Sequence, residues 1–252
     1  MTDQKERIES ELESLSRTMG VKVLYAVESG SRAWGFASPD SDYDVRFIYV
    51  REKEDYLRLD MPKDVIEWCL DDVLDINGWD LKKALFQFHR SNAVLFEWSN
   101  SPIIYKNTEE WKKIYETAKG YFSVKAASYQ YYGVANSTWK QYLQEPEVSY
   151  KKYFYALRPL LACRYIQEKK CPPPVAFDQL MALRLPESLR EGIGYLLDQK
   201  KKMREKETKK PIPVIHDFIA QELIWQKEHI SAMKEEERPG WEMLNQAFLS
   251  IL

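Results

Sequence analysis

The chain has 252 residues, of which 44% are apolar and 13% aromatic, enough to bury the core of one large domain or two modest ones, which excludes a disordered chain. A formal net charge of −2 excludes a protein that coats nucleic acid through bulk electrostatics, although a local basic groove stays open. Three cysteines without CxxC spacing, a charged N-terminus and no stretch near the ~20 apolar residues of a membrane span point to a soluble cytoplasmic protein with reduced thiols and no membrane partner.

Residues 3–19 read as an amphipathic helix, with Ile8, Leu12, Leu15 and Met19 on one face and Gly20 as its stop. "VKVLYAVES" (21–29) is an apolar strand that ends in Gly30-Ser31, and "YDVRFIYV" (43–50) is a second strand. "VIEWCL" (65–70) and "VLDING" (73–78) read as a hairpin or two short strands around an acidic turn at Asp71-Asp72. A helix over 79–89 follows, then a short strand at 103–105 and a helix opened by Asn107 with Glu110 as a capping box. Long aromatic helices cover 121–144 and 150–169, and shorter ones 176–184, 187–203, 213–229 and 238–251. The order of elements predicts an α+β fold, with a small mixed sheet over residues 1–105 and an all-helical part over 106–252.

Two carboxylates stand where a buried strand begins. Alternate strand residues share a face, so Asp42, Asp44 and Arg46 point one way and Tyr43, Val45 and Phe47 the other. At ~3.3 Å per residue the two Asp Cα atoms lie about 7 Å apart, close enough to hold hard cations such as Mg²⁺ or Mn²⁺ between them. A third carboxylate from a neighbouring strand would complete a two-metal site. Asp71 and Asp72 fall at a turn, where Asp is ordinary, whereas Asp75 sits between Leu74 and Ile76 inside an apolar strand and is the better candidate, with Asp72 as the alternative.

Gly30 allows the backbone to approach a ligand, Ser31 adds a hydroxyl donor, and Arg32 offers charge to a phosphate oxygen. Arg46 shares the carboxylate face, where it either neutralises Asp44 or touches a triphosphate. Glu28 reads as a salt-bridge residue, and His89, His216 and His229 lack metal-ligand spacing. The basic run from Lys200 to Lys210 is a solvated segment or a nucleic-acid contact. The tyrosines and Trp139 between 129 and 155 are core or base-stacking groups, with Lys152 and Arg158 beside them as nucleotide contacts.

Gly30-Ser31, a ten-residue spacer and Asp42-Tyr43-Asp44-Val45 resemble the signature of polymerase-beta-type nucleotidyltransferases. With "LDINGWDLKKAL", "NAVLFEWSNSPIIY" and "KKYFYALRPLLACRYI" the chain is similar to nucleotidyltransferases associated with RNA-repair pathways (the RlaP group) over most of its length. The resemblance implies a polymerase-beta palm with a helical C-terminal half and metal ligation by Asp42, Asp44 and Asp75. The expected reaction is metal-dependent transfer of a nucleoside monophosphate from ATP or another nucleoside triphosphate to an acceptor, RNA, protein or a small molecule. The alternative is a nucleotide-binding regulatory or antitoxin-like module without turnover.

Overall fold

The computed structural model describes residues 2–38, 41–60, 62–69, 71, 73–200 and 208–252. Helix α1 (Thr2–Met19) buries Ile8, Leu12 and Leu15 and ends at Gly20, whose φ of +60° only a residue without Cβ adopts at low cost. Burial of each such side chain stabilises by about 1.5–3 kcal/mol. Strand β1 (Lys22–Glu28) leads through a four-residue helical turn, α2 (Gly30–Ala33), to β2 (Tyr43–Val50). After the short α3 (Lys53–Tyr56) come β3 (Val65–Trp68) and β4 (Leu74–Asp80), then α4 (Leu81–His89), α5 (Ala93–Ser99), β5 (Ile104–Asn107) and α6 (Glu109–Ala118).

The sheet order is β3-β4-β2-β1-β5, and β2 and β4 are its parallel pair while the other neighbours are antiparallel. Period-two alternation divides its side chains between two layers. Val45, Phe47, Tyr49, Leu74 and Ile76 pack with α1, and Ile48 and Val50 pack with α4, α5 and α6. Gly78 is required where it stands, because a Cβ there would lie 2.1 Å from the Phe47 ring.

The second half is helical: α7 (Val124–Tyr142), α8 (Tyr150–Lys169), α9 (Phe177–Leu180), α10 (Glu187–Lys200), α11 (Pro213–Ala232) and α12 (Glu242–Leu249). Two-residue strands β6 (Val148–Ser149) and β7 (Thr208–Lys209) pair with each other. Residues 1–122 with 238–252 form one compact unit and 123–237 the other, a different division from the one at 105 that the sequence suggests.

Local chemistry moved two expected boundaries. The helix expected from 79 starts at Leu81, because Trp79 and Asp80 still pair in the sheet and the Asp80 carboxylate caps the helix by accepting from Lys82 N–H at 2.8 Å. Thr108, not Asn107, caps α6: its hydroxyl accepts from Trp111 N–H, and Asn107 closes β5. No helix among the described residues is long and apolar enough to cross a membrane.

Candidate active site

The site is assembled at the start of β2. Beyond β1, Ser29 N–H donates to the Asp44 carbonyl at 2.8 Å and the chain turns into α2. Gly30 turns with φ of +61°, and a Cβ on it would stand 2.2 Å from Asp44 Oδ2. The backbone therefore lies directly against a carboxylate, which only glycine permits. The Ser31 hydroxyl has no hydrogen-bond partner among the described residues.

Arg32 turns back on the loop that precedes β2. Its Nε donates to the Asp42 carbonyl at 3.0 Å and its Nη2 to the Ser41 carbonyl at 2.5 Å, and the guanidinium lies 3.7 Å above the centre of the Tyr43 ring. The Ser38 and Ser41 hydroxyls, 2.9 Å apart, close the same loop. Arg32 thus fixes the backbone that carries Asp42, with much of its donor capacity spent there. The Asp42 side chain is exposed and has no partner among the described residues.

Asp44 and Asp75 lie opposite each other in the register of the parallel strands. Arg46 Nη2 reaches both, at 3.1 Å from Asp44 Oδ1 and 2.8 Å from Asp75 Oδ2, and its Nη1 donates to the Val45 and Asp75 carbonyls at 3.0 and 3.1 Å. Of the two roles open to Arg46, the one in place is neutralisation, and it extends to both carboxylates. Among the described residues no group of three His, Cys, Asp or Glu side chains is gathered closely enough to hold a metal ion. The donors themselves, carboxylate oxygens of Asp42, Asp44 and Asp75 half open to solvent or exposed, have the chemistry of a hard divalent site.

Asp71 accepts from the N–H groups of Val73 and Leu74 and pairs with Arg7 at 2.7 Å, the turn role its position suggests. Asp72 lies outside the described residues.

The sequence reading missed what lies behind the carboxylates. Glu28 is 0% exposed and has no ion pair among the described residues, in place of the salt bridge expected of it. One oxygen accepts from Asp44 N–H at 2.9 Å and the other from the Tyr105 hydroxyl at 2.5 Å, while the Ser101 hydroxyl donates to the Glu28 carbonyl at 2.6 Å. Burial pushes the Glu28 carboxyl above the usual carboxylate range, against the two hydrogen bonds that favour its charged form. Tyr105 and Ser101 fall inside the family-like segment "NAVLFEWSNSPIIY", but nothing in that segment assigns them a partner; the local signal was a glutamate two residues before the turn, inside an apolar strand.

The other candidates have local roles. Arg158 is buried and donates from Nε and Nη2 to the Val175 carbonyl, so it braces the helical core. Lys152 lies over the Tyr142 and Tyr155 rings at 4.1 and 5.5 Å. Tyr131 and Tyr153 are core, whereas Tyr129 and Tyr142 are exposed. His89 stacks on Trp241, His216 lies against Tyr153 and Trp139, and His229 stacks on Trp225. Residues 201–207 of the basic run lie outside the described residues.

Comparison with known proteins adds the identity of the group. The profile of RlaP, the RNA repair pathway DNA polymerase beta family, matches residues 4–250. The chain is 43% identical over 253 residues to YcgL of Bacillus subtilis (strain 168), an uncharacterized protein, covering 98% of this chain and 96% of that one. A crystal structure of a nucleotidyltransferase-like protein from Exiguobacterium sibiricum 255-15 matches at 10% identity and a TM-score of 0.30, over 89% of this chain and 75% of that one. The chain belongs to the RlaP family of polymerase-beta-type proteins.

Proposed function

From that membership we propose that the chain is a nucleotidyltransferase that moves a nucleoside monophosphate from a nucleoside triphosphate to an acceptor hydroxyl. One observation carries the reading: Asp44 and Asp75 face each other in register and share a cation, and Asp44 lies against a turn with no room for a side chain at Gly30.

Asp42, Asp44 and Asp75 would hold Mg²⁺ or Mn²⁺, which when bound supplies positive charge to the triphosphate and lowers the pKa of the acceptor hydroxyl. Gly30 and Ser31 would take the phosphates, through close backbone approach and the free hydroxyl. Arg32 positions Asp42, and Glu28 positions Asp44 by fixing its N–H. In the reaction the acceptor oxygen bonds to the α-phosphorus, the bond to the bridging oxygen breaks, pyrophosphate leaves, and the acceptor proton passes to solvent. The family description supports an RNA end as the acceptor, before a protein hydroxyl or a small molecule.

The Arg46 bridge favours a second reading, a nucleotide-binding regulatory module, because it satisfies Asp44 and Asp75 without a metal ion. The test is incubation with each α-labelled nucleoside triphosphate, Mg²⁺, total RNA and cell protein. Label on RNA is the expected result. Label on a protein band moves the acceptor, and tight nucleotide binding without any transfer supports the module.

A further inference from the structure

A cavity lies at the end of the parallel pair away from Asp44 and Asp75, where β2 runs into Arg51 and β4 ends at Asp80. Seven strand residues at ~3.3 Å each put Arg51 on the order of 20 Å from Asp44, so this is not the reaction centre. The cavity has a volume of about 330 Å³, at the lower end of the roughly 300–1,000 Å³ typical of small-molecule sites. It can hold one small organic molecule and is much larger than a lone phosphate.

Its floor is a fixed hydrogen-bond chain. Arg51 N–H donates to the Tyr56 hydroxyl at 3.2 Å, that hydroxyl to Asp80 Oδ2 at 2.9 Å, and the other Asp80 oxygen accepts from Lys82 N–H at 2.8 Å. The carboxylates of the lining are all engaged: Asp80 in this chain, Asp64 with Lys83 at 3.0 Å, and Asp55 with Arg58 at 3.4 Å. Of the cations, Lys83 is paired with Asp64, Arg51 Nη2 donates to the Lys63 carbonyl at 3.3 Å, and the Arg90 guanidinium lies 4.7 Å from the centre of the Phe86 ring, but anion-binding capacity remains. Arg51 Nε is buried without an acceptor, and Lys82 and Arg90 have no anionic partner among the described residues. A buried donor left unpaired is costly, so the lining calls for an acceptor from outside. Tyr56, Pro62 and Phe86 supply the walls, and Phe86, which Trp241 and Arg90 contact at 5.1 and 4.7 Å, is still 44% exposed, so part of its ring is open to a base.

We infer that this cavity binds a free mononucleotide, a planar ring with one phosphate. The phosphate meets Arg51 Nε, Lys82 and Arg90, and the base lies against Phe86 and Tyr56. Charge-assisted donors match phosphate oxygens, and stacking on an aromatic wall tolerates any base. The inference does not depend on the reading of Asp42, Asp44 and Asp75, and it gives the chain a nucleotide-responsive site apart from the one proposed for reaction.

The test is titration calorimetry in EDTA on the full chain carrying D42N and D44N, which takes away metal-dependent nucleotide binding at the reaction centre. The probes are AMP, UMP, adenosine and inorganic phosphate. Expected are one AMP per chain, similar binding of UMP, and a loss of about tenfold or more for adenosine and for phosphate. Adding K82E and R90E, at two exposed positions, should weaken AMP by at least about tenfold while the melting temperature stays in place. F86A should weaken AMP but not phosphate. No saturable AMP binding at millimolar concentration, phosphate as tight as AMP, or binding that survives K82E and R90E overturns the inference.

Discussion

Gly30→Ala is the sharpest perturbation of the site. An L side chain at φ of +61° costs about 1–2 kcal/mol in the backbone alone. The new Cβ would also stand 2.2 Å from Asp44 Oδ2, well inside any tolerated contact, so the half-exposed carboxylate must rotate. Rotation gives up the 3.1 Å contact with Arg46, worth up to about 1 kcal/mol for a pair this open to solvent. The total is a loss of about 1–3 kcal/mol, read by urea unfolding. A double-mutant cycle divides it: in a D44A background the clash is gone, and Gly30→Ala should cost only the backbone part. Nucleotide transfer should fail in the single variant. A loss under about 0.5 kcal/mol, or the same loss with and without D44A, would refute the close approach of turn and carboxylate.

Arg46→Met removes the cation shared by Asp44 and Asp75 and should destabilise the chain by about 1 kcal/mol in EDTA. Added Mg²⁺ should then raise the melting temperature of the variant more than that of wild type, and equal responses would count against metal binding by these carboxylates. Glu28→Gln tests the buried acid behind the site. Burial, the largest cause, raises the folded pKa of Glu28, so its contribution to stability is full below the unfolded value and is lost as pH rises through the folded one. Wild-type stability relative to Glu28→Gln should therefore fall as pH rises above the ordinary glutamate value of 4.5, and a flat difference in urea unfolding would remove Glu28 as a shifted group. In the helical unit, Arg164 grips the buried Glu222 at 2.8 Å through Nε and 2.5 Å through Nη2. Arg164→Met should cost about 3–5 kcal/mol by leaving that charge unpaired, and adding Glu222→Met should recover most of it.

Much of the site was legible because its chemistry conflicts with its surroundings. A carboxylate between Leu74 and Ile76 breaks the apolar pattern of a strand, and the register places it opposite Asp44. Period-two alternation was enough to assign Asp44 and Arg46 to one face, and Ile48 and Val50, which continue that face, do meet the helical layer. What the pattern could not give was pairing across the sheet. Arg46 bridging two strands and Tyr105 reaching Glu28 across 77 positions depend on tertiary contacts that no local spacing encodes. A guanidinium near a glycine turn suits an anion as well as a carbonyl, so the pattern alone does not separate the two roles of Arg32; the Ser41 and Asp42 carbonyls show where its Nε and Nη2 donors are spent. The return of α12 to the first unit was hidden for the same reason, since its amphipathic pattern does not say which partner it covers.

The central claim is that Asp42, Asp44 and Asp75 support nucleotidyl transfer, and pyrophosphate release tests it most directly. Wild type and the D44N/D75N variant, both folded by circular dichroism, would be compared with each nucleoside triphosphate, Mg²⁺ and RNA. The account predicts release by wild type that stops with EDTA and is lost in the variant. Equal release from both proteins would contradict it.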